Sequence, residues 1–213
     1  MISNIKRLKA ILILGPTGSG KTPLGNLMEK EGLRNQRYYH FDFGENLRSI
    51  TRTDKRFTAK EIALINRVLT SGALLENEHF CLARKILRHF IKRNHIGPAS
   101  IIILNGLPRH VDQAKEMASI LKIEAVIHLA CSPDVVLARI RNNIGGDRVG
   151  RADDGISDVR NKLRIFNRRT SMLIKHYRSR KTEIITVVIT ENTTTANILK
   201  YIKKSFGGFR SHV

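Results

Sequence analysis

The sequence predicts an α/β fold, a five-stranded parallel sheet flanked by helices. Two patterns carry this. Short apolar runs of strand length alternate with longer stretches whose apolar residues are spaced by three and four, and that alternation implies parallel pairing through right-handed crossovers. The first apolar run also ends directly in the glycine-rich turn GPTGSGKT, and a helix pattern begins at its last two residues.

Taken in order, Lys9 to Leu14 forms the first strand and 21–31 the first helix. Tyr38 to Phe41 is the second strand. Helical spacing then runs over 44–51, 58–70 and 77–95. Gly97 and Pro98 break the chain, and SIIIL at Ser100 to Leu104 is a buried third strand. A helix over 110–121 leads to a fourth strand, Ala125 to Leu129, and a helix over 133–141. The segment NNIGGDRVG (142–150) has three glycines and no apolar period, so it is a loop. One long helix over 157–177, a fifth strand at Ile184 to Ile189 and a closing helix over 194–204 complete the chain. All 213 residues fit one domain, with two mobile excursions expected at 43–79 and 141–155.

Composition narrows the chemistry. Hydrophobic content of 41% and charged content of 26% belong to an ordinary globular chain and exclude disorder. Lys and Arg number 38 against 18 Asp and Glu, a formal charge of +20, so the protein's field attracts anions such as nucleotides, nucleic acid or an acidic surface. The positive residues are dispersed, which equally describes a solvated basic surface. The first apolar run is too short for a signal segment or a membrane span, so a cytoplasmic location is expected, with no membrane partner. Cys81 and Cys131 lie far apart in apolar runs and are expected to be buried thiols, not a disulfide or a zinc site.

The turn carries the first chemical assignment. Gly15, Pro16, Thr17, Gly18, Ser19, Gly20, Lys21 and Thr22 match G-x-x-x-x-G-K-S/T between a strand and a helix. Glycines let successive backbone N–H groups face phosphate oxygens, and the following helix directs its positive end to the same anion. Lys21 neutralises charge between the β- and γ-phosphates, and the Thr22 hydroxyl is placed to reach Mg²⁺, directly or through water. These residues form a nucleoside triphosphate site for ATP.

A second cluster, LNGLPRHVDQA, follows the third strand. It resembles the D-G-F-P-R-x-x-x-Q-A segment of the nucleoside monophosphate kinases, closest to the short-lid adenylate kinases. The resemblance is collinear over nearly the whole chain. FDFGENLRSI is similar to the family's S-T-G-D-L-L-R, SGALLENE to G-x-L-V-x-D-E, SPDVVLARI to the lead-in to the lid, and GRADD to the lid's far side. It implies a monophosphate-binding flap over 43–79 and a short lid over 141–155. Phe43, Gly44, Arg48, Leu74, Leu75, Gly106, Arg109 and Gln113 would hold the monophosphate, and Arg139 would stack on the ATP base. Lys21, Arg109, Arg151 and Lys162 would surround the transferring phosphoryl group, because arginine forks grip phosphate oxygens bidentately. Glycines of the lid, Gly145, Gly146 and Gly150, would allow it to close and exclude water.

Four positions depart from the family pattern. Asn105 stands where the family has the strand-end aspartate that orients Mg²⁺ through water, so a weaker metal contact is expected there. Asn143 and Lys162 each replace an arginine, with Arg141 or Arg148 as neighbouring substitutes for the first. Phe43 replaces a threonine that helps to select adenine, and its ring could stack on a base instead. The expected reaction is transfer of the γ-phosphoryl group of ATP to a nucleoside monophosphate. AMP leads because Gln113 is kept, with CMP, UMP and dAMP as open alternatives. The lid has no cysteines, so Mg²⁺ with ATP is the expected cofactor and zinc is not. A monomer is expected from the chain's size. The alternative reading is a nucleotide-binding protein of weak or no kinase activity, using its basic surface on nucleic acid or another anionic partner.

Overall fold

The protein was studied as a computed structural model, which describes residues 7–50, 54–71, 75–146 and 155–208. Its strands are β1 (Leu8–Leu14), β2 (Tyr38–Asp42), β3 (Ile101–Asn105), β4 (Leu121–Ala130) and β5 (Glu183–Val188). All pair in parallel, in the order β2-β3-β1-β4-β5. The helices are α1 (Lys21–Glu31), α2 (Phe43–Arg48), α3 (Ala59–Ser71), α4 (Phe80–Arg93), α5 (Val111–Met117), α6 (Pro133–Arg141), α7 (Ile156–Ile165), α8 (Met172–Ser179) and α9 (Thr195–Gly208).

A parallel sheet covered by helices on both faces needs strands that are apolar on both faces. Strand β1 meets that requirement: Ala10, Leu12 and Leu14 enter one core, and Ile11 and Ile13 enter the other. The first core takes in Phe41, Phe80, Leu87, Ile102, Leu104 and Leu173; the second takes in Leu24, Met28, Ile103, Ile127, Ile198 and Ile202. The helix starts follow local chemistry. Ser132 caps α6 by accepting from the Val135 N–H, with Pro133 in the first turn. At α3, Thr58 Oγ1 accepts from the Glu61 N–H while the Glu61 carboxylate accepts from the Thr58 N–H, a reciprocal capping box.

Three expectations change. The helix expected over 110–121 stops at Met117, because Leu121–Ile123 already pair with Leu8–Ala10 in the sheet. The helix expected over 157–177 is divided by a π-helical turn at Phe166–Thr170. Cys81 is exposed on α4 and Cys131 is half-buried, so neither is a fully buried thiol. Among the described residues no helix is long and apolar enough to cross a membrane.

Candidate active site

Three strands end on one row. Ile13 of β1 pairs with Asn105 of β3, and Asn105 pairs with Asp42 of β2. The turn at Gly15 to Gly20 therefore leaves the central strand beside two polar strand ends. Ligands of open parallel sheets lie in this crevice, at the carboxyl ends of the strands.

The turn is shaped to receive an anion. Gly18 (φ 74°) and Gly20 (φ 95°) occupy the left-handed region, which a side chain disfavours. A Cβ on Gly18 would also lie 2.8 Å from Ile140 Cγ1, and one on Gly15 would lie 2.6 Å from Ser19 Oγ. Buried Ser19 braces the loop by donating to the Pro16 carbonyl at 2.9 Å. Helix α1 opens on Gly20 with no side-chain cap and no acidic residue in its first turn. Its first N–H groups and the positive end of its dipole thus face the loop without a protein carboxylate to satisfy them. Lys21 Nζ curls over the loop and donates to Pro16 O at 2.6 Å.

A compact polar knot stands beside it. Thr22 Oγ1 donates to Asp42 Oδ2 at 2.6 Å. Asn105 Nδ2 donates to the same carboxylate oxygen at 2.8 Å and to Thr22 Oγ1 at 3.1 Å. Asp42 Oδ1 accepts from the Glu45 N–H at 3.0 Å and so caps α2. Burial alone would raise the Asp42 pKa. The hydrogen bonds from Thr22 and the Glu45 N–H, with the Arg48 charge, outweigh burial and hold it below its ordinary value. Hydroxyl, carboxylate and amide oxygens are the donor types that suit Mg²⁺, which keeps several waters and uses one or two carboxylates beside the substrate's phosphates.

Residues expected to hold the monophosphate lie near the same carboxylate. Arg48 ends α2, and its guanidinium folds over Gly44, where an added Cβ would lie 3.2 Å from Nη1. The Asp42 charge acts on both Arg48 and Arg109. Gly106, at φ 84°, turns the chain out of β3, and Arg109 Nε donates to the Gly106 carbonyl at 2.9 Å. A Cβ on Gly106 would touch Phe43 Cβ at 3.4 Å.

Two expected base contacts have other partners here. Gln113 is fully buried, with Oε1 accepting from the Arg109 N–H at 2.8 Å and Nε2 donating to Leu75 O at 2.6 Å. Its amide links the Arg109 loop to Leu75 and does not face an open base site. Phe43 is 5% exposed and packs in the first core beside Phe41, so its ring is not presented for stacking.

On the triphosphate side, Arg139 is buried and reaches carbonyl oxygens. Nε donates to Gly18 O at 3.2 Å, and Nη1 donates to Thr190 O at 2.9 Å, Glu191 O at 3.3 Å and Thr193 O at 2.8 Å. It fastens the phosphate loop to the segment after β5, where the sequence expected a stacking residue. Asn143 follows α6 at φ 46°, a conformation that asparagine tolerates better than the arginine of the family pattern. Lys162 is half-buried on α7. Leu74, Arg148, Gly150 and Arg151 lie outside the described residues, as do most of the lid and part of the flap.

Residues 14–160 match a family model described as an AAA domain. An adenylate kinase of Synechococcus sp. (strain WH7803) is 31% identical over 177 residues, which cover 80% of this chain and 85% of the relative. The chain belongs to the adenylate kinase-like nucleoside monophosphate kinases. An adenylate kinase of Prochlorococcus marinus (strain NATL2A) is 28% identical over 93% of this chain and 99% of its own length. A third, from Mycobacterium tuberculosis (strain ATCC 25618 / H37Rv), is 28% identical over 79% of this chain.

Within this family member, the sequence left one feature of the crevice unplaced: the Asp42 carboxylate. Its signal was present. The strands YYHFD and IIILN end in polar residues, and aligning them in parallel puts Asp42 next to Asn105. The Glu76–Arg169 ion pair, with contacts of 2.6 and 2.9 Å, carried no such signal, because its partners are 93 residues apart.

Proposed function

We propose that the protein transfers the γ-phosphoryl group of ATP to AMP. The observation that carries this reading is the shared Asp42 node. One buried carboxylate accepts from Thr22 of the phosphate loop and caps α2, which carries Arg48, so residues proposed for the donor and for the acceptor share one node.

Phosphoryl transfer asks a protein chiefly to position two anions in line and to spread positive charge over the group in flight. The Gly15–Thr22 backbone cradles the triphosphate, and Lys21 swings from Pro16 O to its outer oxygens. Mg²⁺ bound with ATP would supply charge neutralisation at the phosphates. Thr22 would hold it, directly or through water, with the Asn105 carbonyl oxygen as a weaker neighbour. Arg48 and Arg109 grip the acceptor phosphate from the flap side. Closure of the 43–79 flap and the 141–155 lid brings Arg151 and Lys162 to the transferring group and expels water. Gln113 fastens the Arg109 loop to Leu75 and so steadies Arg109 for the acceptor phosphate.

The test is to incubate the protein with ATP, Mg²⁺ and each of AMP, CMP, UMP and dAMP, and to follow diphosphate formation. The expected result is ADP from ATP and AMP, fastest among the four. Lys21→Ala should lower the rate roughly 100- to 1,000-fold, as loss of a charge-stabilising donor does. Retained ATP binding with no transfer to any monophosphate would overturn the kinase reading. It would favour a nucleotide-binding protein acting on an anionic partner.

A further inference from the structure

We infer that Asp42 is the carboxylate that orients the water shell of the ATP-bound metal ion, and that Asn105 is the residue that positions it. This rests on the kinase reading above and adds to it a metal-site residue on a different strand. The end of β3 carries no negative charge, since Asn105 stands there. The structure shows a carboxylate on the adjoining strand, in register with that asparagine.

The geometry supports an exchange of roles. Asp42 Oδ2 receives both the Thr22 hydroxyl proton at 2.6 Å and an Asn105 amide proton at 2.8 Å. Thr22 is the hydroxyl that the phosphate-loop motif directs to the metal. A carboxylate hydrogen-bonded to that hydroxyl stands in the shell around the ion, where it accepts from metal-bound water and fixes the orientation of the direct ligand. Asn105 can donate to Asp42 because it is an amide. An aspartate in its place would bring two carboxylates to hydrogen-bonding distance in a buried site, and one of them would have to take up a proton. The asparagine is therefore required by the aspartate beside it, and Asn105→Asp alone should impair the site.

Asp42 also caps α2, so removing it could act through the helix instead of the metal. Asp42→Asn separates the two, since asparagine caps a helix as well as aspartate does. The reciprocal variant Asp42→Asn/Asn105→Asp returns one carboxylate and one amide to the same pair of positions. The probe is Mn²⁺, titrated into each protein–ATP complex and followed by electron paramagnetic resonance. ATP affinity in EDTA is measured beside it. Mn²⁺ affinity should fall about tenfold or more in Asp42→Asn and return to within about threefold in the reciprocal variant. ATP affinity in EDTA should hold or rise, because a negative charge near the phosphates has gone. Undiminished Mn²⁺ affinity in Asp42→Asn would overturn the assignment and leave the kinase reading intact. So would a loss that the reciprocal exchange fails to restore. Absence of ATP binding by the parent protein would overturn both.

Discussion

At the scale of single residues, the crevice depends on close fits that a sequence motif does not display. Gly25, one turn into α1, lies against His40 of β2, and a Cβ there would overlap the imidazole. His40 Nδ1 is 2.7 Å from Asn26 Oδ1, while its Nε2 is buried without a hydrogen-bond partner. Burial lowers the imidazole's pKa, and the ring is wedged between helix and strand. Gly25→Ala should destabilise the fold by about 1–3 kcal/mol through overpacking, with part of the loss returned by a second change, His40→Ala. Urea unfolding of the two variants measures both. Asp42 illustrates what the sequence hides at this scale. Its residue type and position are plain in YYHFD, but its role depends on which strand lies next to β2. Gln113 and Phe43 illustrate the converse. Their motif positions were plain, and packing gave their side chains protein partners.

At the scale of elements, most of the fold was legible. Helix α1 and strand β1 fell within a residue of expectation, since a glycine-rich turn bounds them and strong apolar patterns fill them. The helix ends at 117 and 165 were not legible: sheet pairing took one, and a π-helical turn interrupts the other without any glycine or proline to announce it. That turn carries Arg169, whose bidentate pair with Glu76 joins the segment before α4 to the segment following α7. Helix α3 is secured by its Thr58–Glu61 capping box, and Lys85 Nζ of α4 donates to both Glu61 carboxylate oxygens, at 2.9 and 2.8 Å. Thr58→Ala should therefore cost about 1 kcal/mol, read as a lower urea midpoint. Lys85→Met, which breaks a partly exposed pair and keeps the stem, should cost less, within about 1 kcal/mol.

At the scale of the whole molecule, charge and protonation set the working conditions. The formal +20 gives the molecule a positive field, with Arg160, Arg164, Arg168, Lys175 and Arg178 exposed along α7 to α8. Anionic substrates are drawn in by that field, so kcat/KM for ATP should decline as ionic strength rises from about 50 to 300 mM, while kcat changes less. Burial lowers the pKa of His40, His110, His128 and His176, with nearby arginines adding to the effect at the last three. The native state holds these rings neutral while the unfolded chain protonates near the ordinary value of about 6.5, so their stabilising contribution is complete above that pH and shrinks below it. The unfolding temperature should accordingly drop between about pH 7.5 and pH 5.5. The central claim, that one crevice grips two phosphate chains end to end, is tested most directly by titration calorimetry with diadenosine pentaphosphate, a single ligand long enough to fill both sites. It should bind at least about 100-fold more tightly than ATP, and Lys21→Ala and Arg109→Ala should each weaken it, while only Arg109→Ala weakens AMP. An affinity no greater than that of ATP, unaffected by Arg109→Ala, would contradict the account.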